Sequence, residues 1–145
     1  MKKYLLILSV IFFINQGYSQ LYETAIGLRG GTITGITFKQ FLSEPFAVEA
    51  IGNVGANYFG LTALYLHHKP IIGDQWTWHY GIGGHLNAVN GIGIDLGVSA
   101  ALGLDYTLPD YPLTFSINTI PSWTIMGVRN LNFIDGHLAI RYIIK

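Results

Sequence analysis

The sequence predicts an all-β fold: an eight-stranded antiparallel transmembrane β-barrel preceded by a cleaved signal peptide. Three observations predict it. From Ile92 to Tyr106 the chain alternates strictly. Ile92, Ile94, Leu96, Val98, Ala100, Leu102, Leu104 and Tyr106 are apolar, and Gly93, Asp95, Gly97, Ser99, Ala101, Gly103 and Asp105 stand between them. Period-two alternation puts two unlike faces on one strand. Typical soluble strands run about 5–6 residues, whereas a strand crossing a bilayer needs about 9–11. Composition is the second observation: 50% of residues are hydrophobic and 11% charged, yet after residue 20 no apolar run is long enough for a helical span. In a membrane only helices and closed barrels satisfy their own backbone groups, which leaves the barrel. The N-terminus is the third.

Lys2 and Lys3 form a positive n-region, Tyr4 to Ile14 is an apolar run broken by Ser9, and Gly17 and Ser19 are the small residues before a cleavage site. This pattern predicts a secretory signal peptide over residues 1–19, cut between Ser19 and Gln20, and a single barrel domain over 20–145. The run is short of the ~20 residues of a spanning helix. The chain has no cysteine, which excludes disulfides, thiolate chemistry and a lipid-modified cysteine.

Eight segments carry strand-like alternation. The first lies near Tyr22 to Gly30, with Ile26 and Leu28 against Ala25, Gly27 and Arg29. The second is near Gly35 to Phe41, with Ile36 and Phe38 against Thr37 and Lys39. The third is near Phe46 to Val54, with Phe46, Val48 and Ala50 against Ala47 and Glu49, a pattern that Ile51 breaks. The fourth, near Phe59 to His68, sets Leu64 and Leu66 on the apolar face against Tyr65 and His67. The fifth, near Trp76 to Asn87, sets Trp76, Trp78, Tyr80 and Ile82 against Thr77, His79, Gly81, Gly83 and His85. Ile92 to Tyr106 is the sixth. The seventh, near Leu113 to Thr119, sets Leu113, Phe115 and Ile117 against Thr114, Ser116 and Asn118. The eighth, near Gly136 to Lys145, sets Leu138, Ile140, Tyr142 and Ile144 against His137, Ala139 and Arg141. Gly, Pro, Asn and Asp punctuate the intervals as turns do, and Pro121 to Asp135 is the longest expected connection. An even strand count permits antiparallel closure without an exposed edge.

Residue size predicts which face points outward. A soluble lipocalin-like barrel would turn the same alternation inside out and place Gly, Ala, Ser and Thr where water-soluble proteins carry Lys and Glu. With the bulky apolar face outward, the small residues fill an eight-stranded interior that is only just wide enough for side chains. The expected interior polar network is Arg29, Lys39, Glu49, His79, Asp95, Asp105 and Arg141. Its mixed signs allow pairing, which buried charges require. Even strand number predicts both termini on the periplasmic side. Tyr22, Phe41, Phe46, Trp76, Trp78, Tyr106, Tyr111 and Tyr142 are then expected at the periplasmic rim, and Tyr58, Phe59, Trp123 and Phe133 at the outer rim.

The stretches Ile26-Gly27-Leu28-Arg29-Gly30-Gly31, Thr34-Gly35-Ile36-Thr37-Phe38-Lys39, Tyr80-Gly81-Ile82-Gly83-Gly84-His85 and Ile92 through Tyr106 resemble the small outer-membrane barrels of the OmpA/OmpX type. They are more closely similar to the porin-like "outer membrane protein beta-barrel domain" proteins of Bacteroidetes-type bacteria. The resemblance implies an integral barrel in a Gram-negative outer membrane, with outer-membrane lipid and the assembly machinery as partners. Two departures stand out. The chain ends Ile143-Ile144-Lys145 where such barrels commonly end on an aromatic residue. Asn118 occupies a seventh-strand position where the related proteins tend to carry an acid, which implies a rearranged interior network.

Other chemistry is sparse. With the signal peptide removed, the net charge is slightly negative and there is no basic patch, which excludes nucleic acid as an expected partner. His67 and His68 are adjacent and point to opposite strand faces, while His79 and His85 are about 20 Å apart along a strand, so no metal is expected. No His-x-Ser motif of the lipid A deacylase type occurs, and the Gly-x-Gly stretches lack a strand–loop–helix context for nucleotide. The expected function is a non-enzymatic, cofactor-free monomeric barrel with a structural or surface-interaction role. The alternatives are a narrow pore and a soluble periplasmic binder of apolar ligands.

Overall fold

A computed structural model describes residues 24–31, 34–73, 75–127 and 136–144. The segment expected to be a signal peptide, its expected cleavage site, Tyr22, Arg129 and Phe133 lie outside the described residues. Among the described residues nine strand segments follow one another: β1 (Thr24–Gly31), β2 (Gly35–Ser43), β3 (Phe46–Gly55), β4 (Tyr58–Ile72), β5 (Trp76–Val89), β6 (Gly93–Thr107), β7 (Leu113–Thr119), β8 (Ser122–Met126) and β9 (Gly136–Ile144). They pair in the order β5-β4-β3-β2-β1-β9-β7-β6, and β5 pairs with β6 to close the sheet. Every pairing is antiparallel.

The nine segments make eight staves, because β7 and β8 are two lengths of one. Thr119 faces Leu102 and Ser122 faces Ser99 in the same running register against β6. Between them the carbonyl of Pro121 accepts from the Ala100 N–H at 2.9 Å. Proline has no N–H to give a ladder, so the strand pattern is interrupted without a change of direction. The expected connection from Pro121 to Asp135 is therefore corrected: the seventh stave continues to Met126.

The register sets the tilt. Tracing Cα partners around the wall from Thr114 passes through Arg141, Gly27, Thr37, Ile51, Thr62, His85 and Gly97 and returns to the seventh stave at Thr124. One circuit thus climbs ten residues on an eight-stave wall, which suits strands inclined by roughly 35–45°. β4, β5 and β6 run 14–15 residues, whereas β1, β2, β3 and β9 run 8–10, so one side of the wall is taller.

Alternation decides what faces in. On β6, Asp95, Gly97, Ser99, Ala101 and Asp105 are buried, while Ile94, Leu96, Val98, Leu102 and Leu104 are exposed. The same division holds on β1, β2, β5, β7 and β9. Ile51, which breaks the third-strand pattern, faces inward and is fully buried. β4 requires a correction. Leu64 and Leu66 point inward and are buried, with Thr62 and His68, while Tyr65 is exposed and His67 half-buried on the outer face. Both faces of this strand are apolar, so hydrophobicity alone gave the wrong parity; Gly60, Thr62 and His68 share the parity of the inward leucines. Ile51, Leu64, Leu66, Ala101 and Ile120 make one small apolar cluster inside the barrel. The remaining buried interior is mainly polar or glycine and alanine.

Candidate functional site

The interior polar network is built by register. Lys39 of β2 faces Glu49 of β3, His68 of β4 faces His79 of β5, and Asp105 of β6 faces Ser116 of β7. Arg141 of β9 faces Thr114 on one side and Gly27 on the other. Cross-strand partners on one face approach to about 4.5–5.5 Å between Cβ atoms, so side chains far apart in sequence converge. β1 contributes only Ala25 and Gly27 at this level, and their small size leaves room for the Arg141 and Lys39 side chains.

Asp105 is the hub. Its Oδ2 meets Lys39 Nζ at 2.9 Å, His68 Nε2 at 3.3 Å and His79 Nδ1 at 3.3 Å. Its Oδ1 accepts from the Ser116 hydroxyl and lies 3.8 Å from Arg141 Nη1. Glu49 Oε1 accepts from Thr37 Oγ1 and from Arg141 Nη2, each at 2.5 Å, and Glu49 Oε2 lies 3.8 Å from Lys39 Nζ. Arg141 also donates to Ser116 and, through Nε, to Thr37 at 3.4 Å. The connections close into a ring: Asp105, Lys39, Glu49, Arg141, Ser116 and back. Two cations face two carboxylates, so the ring is neutral. All four charged side chains are at most 2% exposed.

Desolvating these charges costs several kcal/mol per ion, an outlay that close geometry and extra hydrogen bonds must offset. The ring supplies both. It also specifies register, since a one-residue slip of any stave would turn its charge out to the apolar face.

The network expected from sequence divides in two. Lys39, Glu49, His79, Asp105 and Arg141 come together. Arg29 and Asp95, also buried, sit elsewhere: Arg29 Nη2 donates to Asn118 Oδ1 at 3.5 Å, and Asp95 Oδ1 lies 3.9 Å from His85 Nε2. Asn118 thus places a neutral acceptor beside Arg29. Thr37, His68 and Ser116 join the network beyond the expected set. The parity of Thr62 with His68 was the available signal for the histidine.

Two constellations resemble chemical sites by residue type. His68, His79 and Asp105 bring their donor atoms within 4.8 Å of one another, a grouping that adjacent-residue and same-strand spacing could not reveal, because His68 and His79 are cross-strand partners. Lys39 Nζ occupies the convergence, 2.9 Å from Asp105 and 3.4 Å from His68 Nε2. An ammonium there already supplies the positive charge that a metal ion would bring. The second is Asp95, His85 and Ser99. His85 Nδ1 is 2.8 Å from Ser99 Oγ, which lies 3.1 Å from Ser122 Oγ. A hydrolytic triad needs a carboxylate within hydrogen-bond reach of the histidine and donors for an oxyanion. Here the carboxylate stands 3.9 Å away and Ser99 is 2% exposed, so the arrangement reads as interior hydrogen bonding.

On the outer wall, a groove of about 500 Å³ is lined by Ile26, Leu28, Leu113, Leu138, Ile140 and Tyr142. The rings of Phe46, Tyr65, His67, Tyr80 and Trp78 form a contiguous row near the end of the barrel that holds Thr24 and Ile144, with Trp76 against Tyr106 beside it. Phe41 lies at the same end but turns inward, its ring 4.8 Å from His68. No family model matches the chain, and no curated protein matches it.

Proposed function

We propose that this protein is a non-enzymatic integral outer-membrane barrel of a Gram-negative bacterium, with a structural or surface-interaction role and a lumen filled by side chains. One observation carries the reading: the outward face is a wall of Ile, Leu, Val, Phe, Tyr and Trp on every long stave, wrapped around a neutral, buried ionic ring. In water that wall would be a continuous exposed apolar surface, far larger than soluble monomers carry. In lipid it is the expected apolar band with aromatic residues at its margin. The soluble-binder alternative needs an apolar interior, and this interior is largely polar. The pore alternative needs a wetted lumen, and Lys39 and Arg141 at its centre have no exposed surface.

Partners on this reading are outer-membrane lipid and, during biogenesis, the assembly machinery. Fractionation tests it. The mature chain should partition with outer membranes, require detergent for release and migrate faster on gels unheated than boiled. Recovery as a detergent-independent periplasmic protein would remove the proposal.

A further inference from the structure

The outer wall is apolar over most of its area, so its polar exceptions are informative. Arg29, Lys39, Lys69 and Arg141 are the Lys and Arg side chains among the described residues, and only Lys69 is exposed. It stands on the outer face of β4, directly opposite Trp78 of β5, with Nζ 6.0 Å from the indole centroid. His67 is two residues away on the same face. His67 in turn sits between the rings of Phe46 and Tyr80, at centroid distances of 5.1 and 5.2 Å, and Tyr80 lies 5.1 Å from Trp78. An ammonium, an indole N–H, a phenol and an imidazole thus share one patch of the wall. All four can donate hydrogen bonds.

Farther along the same two staves the surface turns purely apolar and then dips. Tyr65 and Ile82 are cross-strand partners, as are Ala63 and Gly84, and Leu61 and Leu86. All six face outward. Ala63 and Gly84 make a shallow trough between two bulkier pairs. From Lys69 to Ala63 is six residues, or about 20 Å along the strand.

We infer that this face of β4 and β5 binds an anionic phospholipid, its headgroup phosphate held by Lys69, Trp78, His67 and Tyr80 and its acyl chain lying over Tyr65 and Ile82 into the Ala63–Gly84 trough. The inference rests on the membrane reading and deepens it by naming a lipid class and a place. Charge complementarity selects the occupant. Lys69 is the one exposed Lys or Arg among the described residues, with the nearest exposed carboxylate-bearing residue of that rim, Glu44, placed in the turn rather than on the wall, so the patch matches a phosphate that no choline compensates, and the adjoining rings suit the interfacial depth at which headgroups sit.

The test uses the barrel folded in detergent and mixed with phosphatidylglycerol or phosphatidylcholine, with retained lipid counted by native mass spectrometry. The wild type should retain phosphatidylglycerol in preference to phosphatidylcholine. Lys69→Gln should reduce that retention about fivefold, the effect expected of one surface lysine, while Lys69→Arg keeps it. Heat-modifiable gel mobility establishes that each variant is folded. Equal retention of the two lipids by the wild type, or undiminished phosphatidylglycerol on Lys69→Gln, overturns the inference. Displacement of the lipid by inorganic phosphate would do the same, by marking a free-anion site. Failure of the membrane reading is distinguishable, because it appears as solubility without detergent before any lipid is added.

Discussion

Lys39 has two roles that its distances make separable. Its ammonium balances Glu49 and Asp105 together with Arg141, and it fills the space on which His68, His79 and Asp105 converge. Removing one member of a buried ion pair strands the other, a loss of about 3–5 kcal/mol. Lys39→Ala should therefore lower the urea midpoint of the detergent-folded barrel substantially. It also opens the space. Two imidazoles and a carboxylate are a competent donor set for Co²⁺, so added Co²⁺ should restore part of the lost midpoint in Lys39→Ala and give a visible absorption band. The wild type should show neither. A variant indifferent to Co²⁺ would mean that these donors do not converge once the lysine is gone. At this scale the sequence was partly legible. Lys39, Glu49, His79, Asp105 and Arg141 could be assigned inward from period-two parity alone. His68 could not, because its membership depends on facing His79 across a strand pair, and register between staves is not written in the periodicity of either.

The elements show where alternation is a sufficient guide and where it fails. β6 and β9 are unambiguous, since each has one bulky apolar face and one small or charged face. β4 is ambiguous because Leu64 and Leu66 look lipid-facing by type but pack inside against Ile51 and Ile120, an outcome set by the barrel's need to fill its middle. Alternation marks the seventh stave only from Leu113 to Thr119, yet the stave runs on past Pro121, whose carbonyl still accepts a ladder bond although proline has no N–H to give one. Adjacent glycines on β5 provide a sharp test of strand parity. A Cβ added at Gly83 would collide with the backbone carbonyl of Ala63 on β4, whereas one added at Gly84 meets only the Gly97 carbonyl at an ordinary 3.5 Å. Gly83→Ala should prevent close β4–β5 approach and abolish the fast-migrating folded band. Gly84→Ala, one residue away with the same chemical change, should leave folding yield unaltered. Equal behaviour of the two would contradict the assigned facing of β5.

For the whole molecule, the governing fact is an inverted distribution of polarity: a charge-balanced, hydrogen-bonded interior inside a hydrocarbon-like wall. Closure removes the sheet edges, and the ionic ring draws on β2, β3, β6, β7 and β9, with His68 of β4 and His79 of β5 attached to it through Asp105, so the network pins nearly the full circumference at once. The solvent around the wall then decides what a surface charge costs, and this supplies a quantitative test of the membrane reading. Leu102 lies near the middle of the outer face of β6, 52% exposed, while Ile92 lies in the turn before that strand, 62% exposed. If lipid surrounds the wall, Leu102→Arg should cost about 2–4 kcal/mol on refolding into bilayers and Ile92→Arg about 0–1, because the penalty for arginine falls from midplane to interface. If water surrounds it, each is an ordinary surface substitution, within about ±0.5 kcal/mol. The difference between the two variants, measured by urea titration in the same vesicles, is independent of errors common to both. A difference of about 1 kcal/mol or more supports the lipid-facing wall through depth dependence alone, and a smaller one rejects it.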